Sequence, residues 1–288
     1  MTDLHEQEKQ LINTDEIIAV MSQVHGLDVT VYSETFLAKS VQRRQTATAL
    51  MRSTHYMKRL SEDPAEAGFL LNSLNVSYSA FFRNPLTFGL LEQVIFPALF
   101  AKMEASGQRE LRIWSAGCAA GQEAWSVAIL LDELSSAQGK PASYRIFATD
   151  HSDVELAFAR SGVYPADALG NVRLRQLDGY FSRQGGAYAI ATCMKEKVEF
   201  SRHDLLDQAS NSPAESIYGD FDLVLCCNVL YYYRPEIQQM ILDKLLRNIA
   251  TDGYLVTGET ERQIVAASEG LAEITPPVSI FQRRRIRR

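Results

Sequence analysis

The order of apolar and polar positions divides the chain into a helical first part and a second part that alternates between apolar runs and helical patterns. From Thr14 to about Leu74, apolar residues recur at helical spacing. From Leu111 onward, short continuous apolar runs end in turns that lead into helices, which is typical of strands buried on both faces of a parallel sheet. The pattern predicts an α/β fold with a doubly wound, mostly parallel sheet and an N-terminal all-helical domain. The predicted strands are Leu111–Ala116, Tyr144–Asp150, Lys197–Ser201, Phe221–Asn228 and Tyr254–Gly258, followed by a closing hairpin over 271–282.

These elements also predict the domain boundaries. Residues 1–13 form a flexible N-terminus, 14–76 the helical domain, 77–109 a linker with a leading helix, and 110–288 the sheet domain. Glycines punctuate residues 161–200, and two extended runs flank Gln184-Gly185-Gly186. We therefore predict a small β-hairpin subdomain, at about residues 171–196, inserted between strands of the main sheet.

The turn after the first apolar run is the strongest candidate for a ligand site. Gly117 and Gly121 bracket a turn of small residues between a strand and a helix, so a ligand can lie against bare backbone. The turn lacks the G-x-G-x-x-G spacing of dinucleotide sites and the Gly-Lys-Ser/Thr of a P-loop. It is compatible with the looser turn of S-adenosylmethionine-dependent methyltransferases.

Two acidic residues lie near the ends of the first two predicted strands. Glu123, in the first helical turn, suits a cationic ligand group such as a methionyl ammonium, or merely compensates the helix dipole. Asp150, at the end of the second strand, suits ribose hydroxyls, or merely caps the next helix.

Composition narrows the range of functions. Apolar residues make up 46%, charged residues 22%, and the net charge is −6, which argues against a generic nucleic-acid binder. The first residues are polar and acidic, and no apolar run reaches about 18 residues, so neither a signal peptide nor membrane insertion is expected. The four cysteines form no C-x-x-C pair and the five histidines are scattered, so we expect reduced cysteines and no metal site.

Two local features depart from the acidic average. Between Thr35 and Leu60 the chain has no acidic residue, which indicates either a solvated helix face or a docking surface for an acidic partner. The basic residues there are Lys39, Arg43, Arg44, Arg52, Lys58 and Arg59. At the junction of the domains, Arg83 follows Phe81 and Phe82, and a charge beside apolar bulk needs a partner or a ligand.

Five motifs follow one another along the chain: Ser79-Ala-Phe-Phe-Arg83, Ile113-Trp-Ser-Ala-Gly-Cys-Ala-Ala-Gly-Gln-Glu123, Ala148-Thr-Asp150, Cys227-Asn-Val-Leu-Tyr-Tyr-Tyr233 and Gly253-Tyr-Leu-Val-Thr-Gly-Glu259. With these motifs in this order, the chain resembles the CheR-type chemotaxis receptor glutamate O-methyltransferases. The resemblance covers about residues 14–282. It implies a Rossmann-like class I methyltransferase that esterifies glutamates on chemoreceptor cytoplasmic helices with S-adenosylmethionine, yielding S-adenosylhomocysteine.

The resemblance also implies the site. Arg83 and Tyr232 correspond to active-site residues, with Arg83 beside the transferring methyl. The implied cofactor contacts are Ser77, Ser79, Arg83, Gly117, Glu123, Asp150, Asp204, Leu205, Cys227 and Asn228. The basic residues of the helical domain would dock the receptor, and the enzyme would be cytoplasmic, receptor-associated and monomeric.

The chain departs from the family pattern at several positions. Cys227 stands where the family usually has Arg, Ser77 where it has Asn, and Gln122-Glu-Ala-Trp125 where it has Glu-Glu-Pro-Tyr. The turn Gln184-Gly185-Gly186 is shorter than in members that tether to a receptor C-terminal peptide, so we predict no tether. Two alternatives stay open: a methyltransferase with another acceptor, and a catalytically weak cofactor-binding sensor or scaffold.

Overall fold

A computed structural model describes residues 13–139, 143–216 and 219–284, and the chain folds as two compact units. The first unit takes in the chain up to Val76 together with Tyr231–Gln238, and the second takes in Ser77–Leu230 and the chain from Gln239 onward. Residues 1–12 of the predicted flexible N-terminus (1–13) and residues 285–288 lie outside the described residues.

Side-chain caps begin the helices of the first unit. Ser33 and Asp63 accept hydrogen bonds from backbone N–H groups of the helices that follow them, and Pro64 occupies a first-turn position that needs no N–H. The helix that begins at Glu34 ends before residues 49–52, where Ala49 adopts a left-handed conformation with φ 56°. The helices are α1 (Thr14–Gln23), α2 (Glu34–Thr48), α3 (Ser53–Glu62) and α4 (Pro64–Leu74).

The segment Tyr231–Gln238 joins this helical unit, although it follows the fourth strand of the main sheet in sequence. The Ser33 N–H donates to the Tyr232 carbonyl at 2.8 Å, and the Arg234 N–H donates to the Val31 carbonyl at 3.0 Å. The predicted boundaries placed this segment in the sheet domain. The spacing of apolar residues could not predict that this segment groups with the helical unit, because the contacts join residues about 200 positions apart.

The second unit begins with a long apolar helix that runs as α5 (Pro85–Leu90), a π-helical turn (Leu91–Ile95) and α6 (Phe96–Ser106). By length and composition alone, Pro85–Ser106 is long and apolar enough to cross a bilayer, although Glu92 and Lys102 interrupt it and no apolar run in it reaches about 18 residues. Phe96 and Leu99 of this helix are buried in the core of the unit.

Within the described ranges, seven strands form the main sheet and three form a smaller one. The strands are β1 (Leu111–Ala116), β2 (Tyr144–Asp150), β3 (Val163–Pro165), β4 (Phe181–Gln184), β5 (Ala187–Ile190), β6 (Val198–Arg202), β7 (Phe221–Cys226), β8 (Ile249–Thr257), β9 (Leu271–Glu273) and β10 (Ile280–Arg283). The remaining helices are α7 (Gln122–Gln138), α8 (Asp153–Ser161), α9 (Leu174–Tyr180), α10 (Thr192–Lys195), α11 (Pro235–Asn248) and α12 (Arg262–Ala266).

The main sheet has the order β6-β2-β1-β7-β8-β10-β9. Strands β6, β2, β1, β7 and β8 pair in parallel, and β10 pairs antiparallel with both β8 and β9. This confirms the predicted doubly wound, mostly parallel sheet. The chain proceeds from β1 outward through β2 to β6, then crosses back to β7, so the strand order reverses between β1 and β7. In such sheets the crevice at the carboxyl ends of the two strands binds ligands.

The inserted subdomain is larger than the predicted hairpin. Its sheet has the order β3-β5-β4, so the third strand, Val163–Pro165, lies outside the predicted range of 171–196. A three-residue strand that ends in proline carries too little alternation to be recognised from sequence. Strands β4 and β5 are joined by only Gly185 and Gly186.

Candidate active site

The turn after β1 is fixed by the neighbouring strands. The N–H groups of Gly117 and Cys118 both donate to the Thr149 carbonyl, at 2.8 and 2.9 Å. Gly117 has φ +78°, and a Cβ there would lie 2.8 Å from a Val229 methyl. Only glycine satisfies both conditions, so the turn approaches the loop after β7 as closely as backbone allows.

Asp150 connects the loops that follow β1 and β2. Its Oδ2 accepts the Ala119 N–H and its Oδ1 accepts the Ser152 N–H, both at 2.9 Å. The cap of α8 is Ser152, whose Oγ accepts the Glu155 N–H, so helix capping does not account for Asp150. An acid at this edge that is 8% exposed is placed to bind hydroxyl donors.

Glu123 lies at the centre of the crevice. The Ser115 hydroxyl donates to its Oε1 at 2.7 Å, and the Cys227 thiol also hydrogen-bonds to it. Burial raises the pKa of Glu123, outweighing these hydrogen bonds and the attraction of the Arg83 guanidinium. A desolvated carboxylate of this kind gains most from a cationic ligand group.

Cys227 occupies the position where the resemblance leads one to expect an arginine. Burial and the charge of Glu123 raise the pKa of the thiol well above its ordinary value. The thiol therefore stays protonated, beside Glu123 and 3.8 Å from the Val256 carbonyl, so this position carries a neutral donor where the resemblance implies a cation.

Arg83 is held beside the crevice by the aromatic pair that precedes it. Phe82 has φ 47°, and its N–H donates to the Ser126 hydroxyl of α7 at 3.0 Å. The Arg83 guanidinium donates to the Tyr78 carbonyl at 3.1 Å and lies 5.0 Å from the centre of the Tyr78 ring. The predicted need of Arg83 for a partner is met by Tyr78 and by the nearby charge of Glu123.

Asn228 follows β7 on the other side of the crevice. It has φ 61°, and its Oδ1 is buried without a hydrogen-bond partner in the described part of the chain. A buried amide oxygen without a donor has a site for a ligand N–H or O–H group.

The remaining predicted cofactor contacts lie at the edges of the crevice. Ser77 hydrogen-bonds to Glu155, whose pKa is raised by burial and by the charge of Asp150. The His203 N–H donates to the Asp150 carbonyl at 3.0 Å, which places the exposed Asp204 and the buried Leu205 just beyond β6. Ser79 is half-buried in the segment that leads to Arg83.

These groups fit S-adenosylmethionine. Glu123 can hold its ammonium, Asp150 its ribose hydroxyls, and the Asn228 amide oxygen a donor of its base. The bare turn at Gly117 leaves room for the ligand to approach the backbone. Two observations support this fit: the Glu123 carboxylate is half-buried, and the buried Asn228 Oδ1 has no hydrogen-bond partner among the described residues.

Tyr232 belongs to the first unit. Its hydroxyl accepts a hydrogen bond from the Tyr231 hydroxyl at 2.6 Å, and its ring lies 4.6 Å from that of Phe36. It opens onto a groove of about 570 Å³ that also contains two of the predicted docking residues, Lys39 and Arg43. The groove is lined by Phe36, Lys39, Gln42, Arg43, Thr46, Val76, Tyr231 and Tyr232.

The predicted docking residues differ in their exposure and in their ion pairs. Arg44 makes two hydrogen bonds, at 2.9 and 2.7 Å, to the fully buried Glu66, which also accepts the Tyr56 hydroxyl at 3.0 Å. Arg59 lies 3.9 Å from Glu66, and Lys58 lies 4.0 Å from Glu62. Arg44 therefore holds the unit together, whereas Lys39, Arg43 and Arg52 are exposed.

Sequence reasoning missed the acid that organises the loop after β7. Glu261 is fully buried and accepts backbone N–H groups from that loop. The available signal was the run Gly258-Glu-Thr-Glu261, in which an acid three residues after a turn can fold back onto it.

Residues 77–274 match the family model described as CheR methyltransferase, SAM binding domain. Chemotaxis protein methyltransferase 1 of Pseudomonas aeruginosa is 33% identical over 196 residues, which make up 67% of this chain and 68% of that protein. The chemotaxis protein methyltransferase of Salmonella typhimurium is 30% identical over 252 residues, 85% of this chain and 82% of that protein. An uncharacterized 104.1 kDa protein of Rhodobacter capsulatus is 29% identical over 93% of this chain, which spans only 26% of that relative.

The family match covers the leading helix, the crevice, the inserted subdomain and all but the last strand of the main sheet. It also contains every residue that the crevice brings together around Glu123, Asp150 and Asn228. The chain therefore belongs to the CheR methyltransferase family, and residues 77–274 are its S-adenosylmethionine-binding domain.

Proposed function

We propose that this protein transfers the methyl group of S-adenosylmethionine to glutamate side chains on chemoreceptor cytoplasmic helices, forming methyl esters for sensory adaptation. The observation that carries the proposal is the position of Arg83 beside a crevice lined by Glu123 and Asp150. The crevice acids suit the cofactor, and the guanidinium supplies a cation for an acidic acceptor.

The chemistry requires alignment rather than a base. When bound, S-adenosylmethionine supplies a methyl group on a positively charged sulfur, and a glutamate with a pKa of about 4.3 is already ionised near pH 7. Proximity and orientation can supply roughly 7–11 kcal/mol of the barrier reduction. Arg83 and the Tyr232 hydroxyl would orient the acceptor carboxylate. Neither should hold it too tightly, because the carboxylate loses its charge as the ester forms.

The proposed partner is the cytoplasmic helices of a chemoreceptor, and the groove on the first unit supports docking of an acidic surface. Lys39 and Arg43 are exposed there, one helical turn apart, in the same groove as Tyr232. We place the enzyme in the cytoplasm, associated with receptors and acting as a monomer.

A receptor C-terminal peptide is not expected to tether this enzyme. The turn between β4 and β5 has two residues, Gly185 and Gly186, and neither has a side chain that a peptide could contact. Titration with such a peptide should give no saturable binding, and tight, sequence-specific binding would refute this part of the proposal.

The decisive experiment uses the full chain, a receptor cytoplasmic fragment and methyl-labelled cofactor. Mass spectrometry should find added methyl groups on glutamates, and the label should be released by mild base, as expected of an ester. Label on a different residue type would indicate a methyltransferase with another acceptor. Cofactor binding with no transfer to any receptor fragment would favour the sensor or scaffold alternative.

A further inference from the structure

Glu261 lies just beyond the end of β8 and outside the residues that the resemblance assigns to the site. Its Oε2 accepts the Asn228 N–H at 2.9 Å and the Gly258 N–H at 2.7 Å, and its Oε1 accepts the Leu230 N–H at 2.6 Å. Its side chain is fully buried. One carboxylate therefore gathers main-chain N–H groups from two loops, one after β7 and one after β8.

The loop after β7 needs this support because of its backbone conformation. Asn228 has φ 61°, a region that residues with a Cβ rarely occupy and that persists only where the surroundings enforce it. Gly258 closes the arrangement from the other side, since a Cβ there would lie 2.6 Å from Asn228 Nδ2 and 3.0 Å from Glu261 Oε2.

The enforced conformation has a use in the crevice. It keeps the Asn228 Oδ1 buried and without a partner among the described residues, at the edge where the strand order reverses. A different backbone conformation at Asn228 would move this acceptor, together with the neighbouring Cys227 thiol that binds Glu123.

We infer that Glu261 is a positioning residue that holds Asn228 in the conformation that binds the cofactor. This inference rests on the S-adenosylmethionine crevice of the proposed function, and it does not depend on the methyl acceptor. A carboxylate is needed because its two oxygens accept all three N–H groups. A carboxamide presents an NH2 group to at least one of them.

The test is Glu261→Gln in the full chain, with S-adenosylhomocysteine binding measured by isothermal titration calorimetry. Losing one buried acceptor and facing a donor with another should weaken binding on the order of tenfold. With a receptor fragment as acceptor, KM for S-adenosylmethionine should rise by about the same factor while kcat changes less than about twofold. A merely structural role would instead lower kcat through the fraction of active enzyme and leave KM unchanged.

Glu259→Gln is the matched control, because Glu259 is an exposed acid in the same turn and should bind as the wild type does. If Glu261→Gln does not fold, Gly258→Ala disturbs the same arrangement from the other loop and should weaken binding similarly. Wild-type affinity in a folded Glu261→Gln or Gly258→Ala variant would overturn the inference. Failure of the wild type itself to bind S-adenosylhomocysteine would overturn the cofactor crevice, and this inference with it.

Discussion

The carboxyl group of Glu123 is half-buried between Ser115 and Cys227, and burial raises its pKa above the ordinary value of 4.5. In the proposed site the ionised form would attract the cofactor ammonium, so affinity should be complete above the raised pKa and be lost as the pH falls through it. Binding of S-adenosylhomocysteine should therefore weaken from pH 7 to pH 5, earlier than an ordinary glutamate would cause. Calorimetry over this range checks the prediction, since the ligand ammonium stays protonated throughout.

Glu123→Gln supplies the comparison for this pH dependence. The variant should bind weakly at every pH and show a nearly flat profile over the same range. A wild-type affinity that stays constant between pH 5 and pH 7 would contradict the assignment of Glu123 to the ammonium.

Arg83 and Tyr232 should differ in their effect on turnover. Arg83→Ala removes the cation beside the crevice and should lower kcat on the order of 100-fold, as for other groups that orient or stabilise a reacting oxygen. Tyr232→Phe removes one hydroxyl and should cost about tenfold, with the binding of S-adenosylhomocysteine little changed. Initial rates with a receptor fragment measure both, and near wild-type turnover in Arg83→Ala would remove it from the site.

At the scale of single residues, the acids that line the crevice could be predicted from the sequence. The hydrogen bonds that hold the crevice residues in place could not. Glu123 and Asp150 were recognisable because each acid follows an apolar strand, where the edges of parallel strands meet. The role of Ser115 depends on a contact between β1 and α7, and that of Glu261 on contacts between two loops, and the apolar periodicity encodes neither contact. The pairing of Arg44 with Glu66 was hidden for the same reason, because 22 residues and a helix boundary separate them.

Among the elements, α2 and α4 are joined by the ion pair between Arg44 and the fully buried Glu66. Glu66→Gln leaves the guanidinium without its charged partner, and breaking a buried pair from one side typically costs about 3 kcal/mol. We therefore expect a large loss of stability confined to the helical unit. Amide hydrogen exchange in α2–α4 measures it directly.

Lys58→Ala is the control for this prediction. Lys58 lies 4.0 Å from Glu62 and both side chains are exposed, so its loss should cost about 0.5 kcal/mol or less. Equal exchange rates in the two variants would mean that the buried pair contributes no more than a surface pair.

The positions of the strands were predicted with different accuracy. Strands β1 and β7 are mostly apolar, apart from Arg112, Ser115 and Asp222, because both faces of the sheet are covered, and their positions were recognisable from this alone. Strand β8 begins at Ile249, five residues before the predicted start, because Asp252 and Gly253 lie within the strand at a register irregularity. The strand β3 was missed because its three residues form an edge of a small sheet.

For the molecule as a whole, the net charge of −6 opposes the approach of an acidic receptor surface. Lys39 and Arg43 reverse that sign locally, on the exposed part of α2 and in the groove that holds Tyr232. Arg44, Lys58 and Arg59 pair with Glu66, Glu62 and Asp63, and Arg52 is exposed but does not line this groove. The substrate encounter should therefore depend on a small number of exposed cations rather than on the whole basic run.

Charge reversal tests this at the level of substrate recognition. Lys39→Glu and Arg43→Glu should each raise KM for a receptor fragment several-fold at about 0.05 M salt, with kcat nearly unchanged. The difference from the wild type should shrink as ionic strength rises to about 0.5 M, because the screening length falls below the separation of the charges. Arg109→Glu is the matched control, since it makes the same change in net charge at an exposed position of the other unit. If all three variants raise KM equally, the effect belongs to net charge alone. A larger effect at Lys39 and Arg43 places receptor docking at the groove.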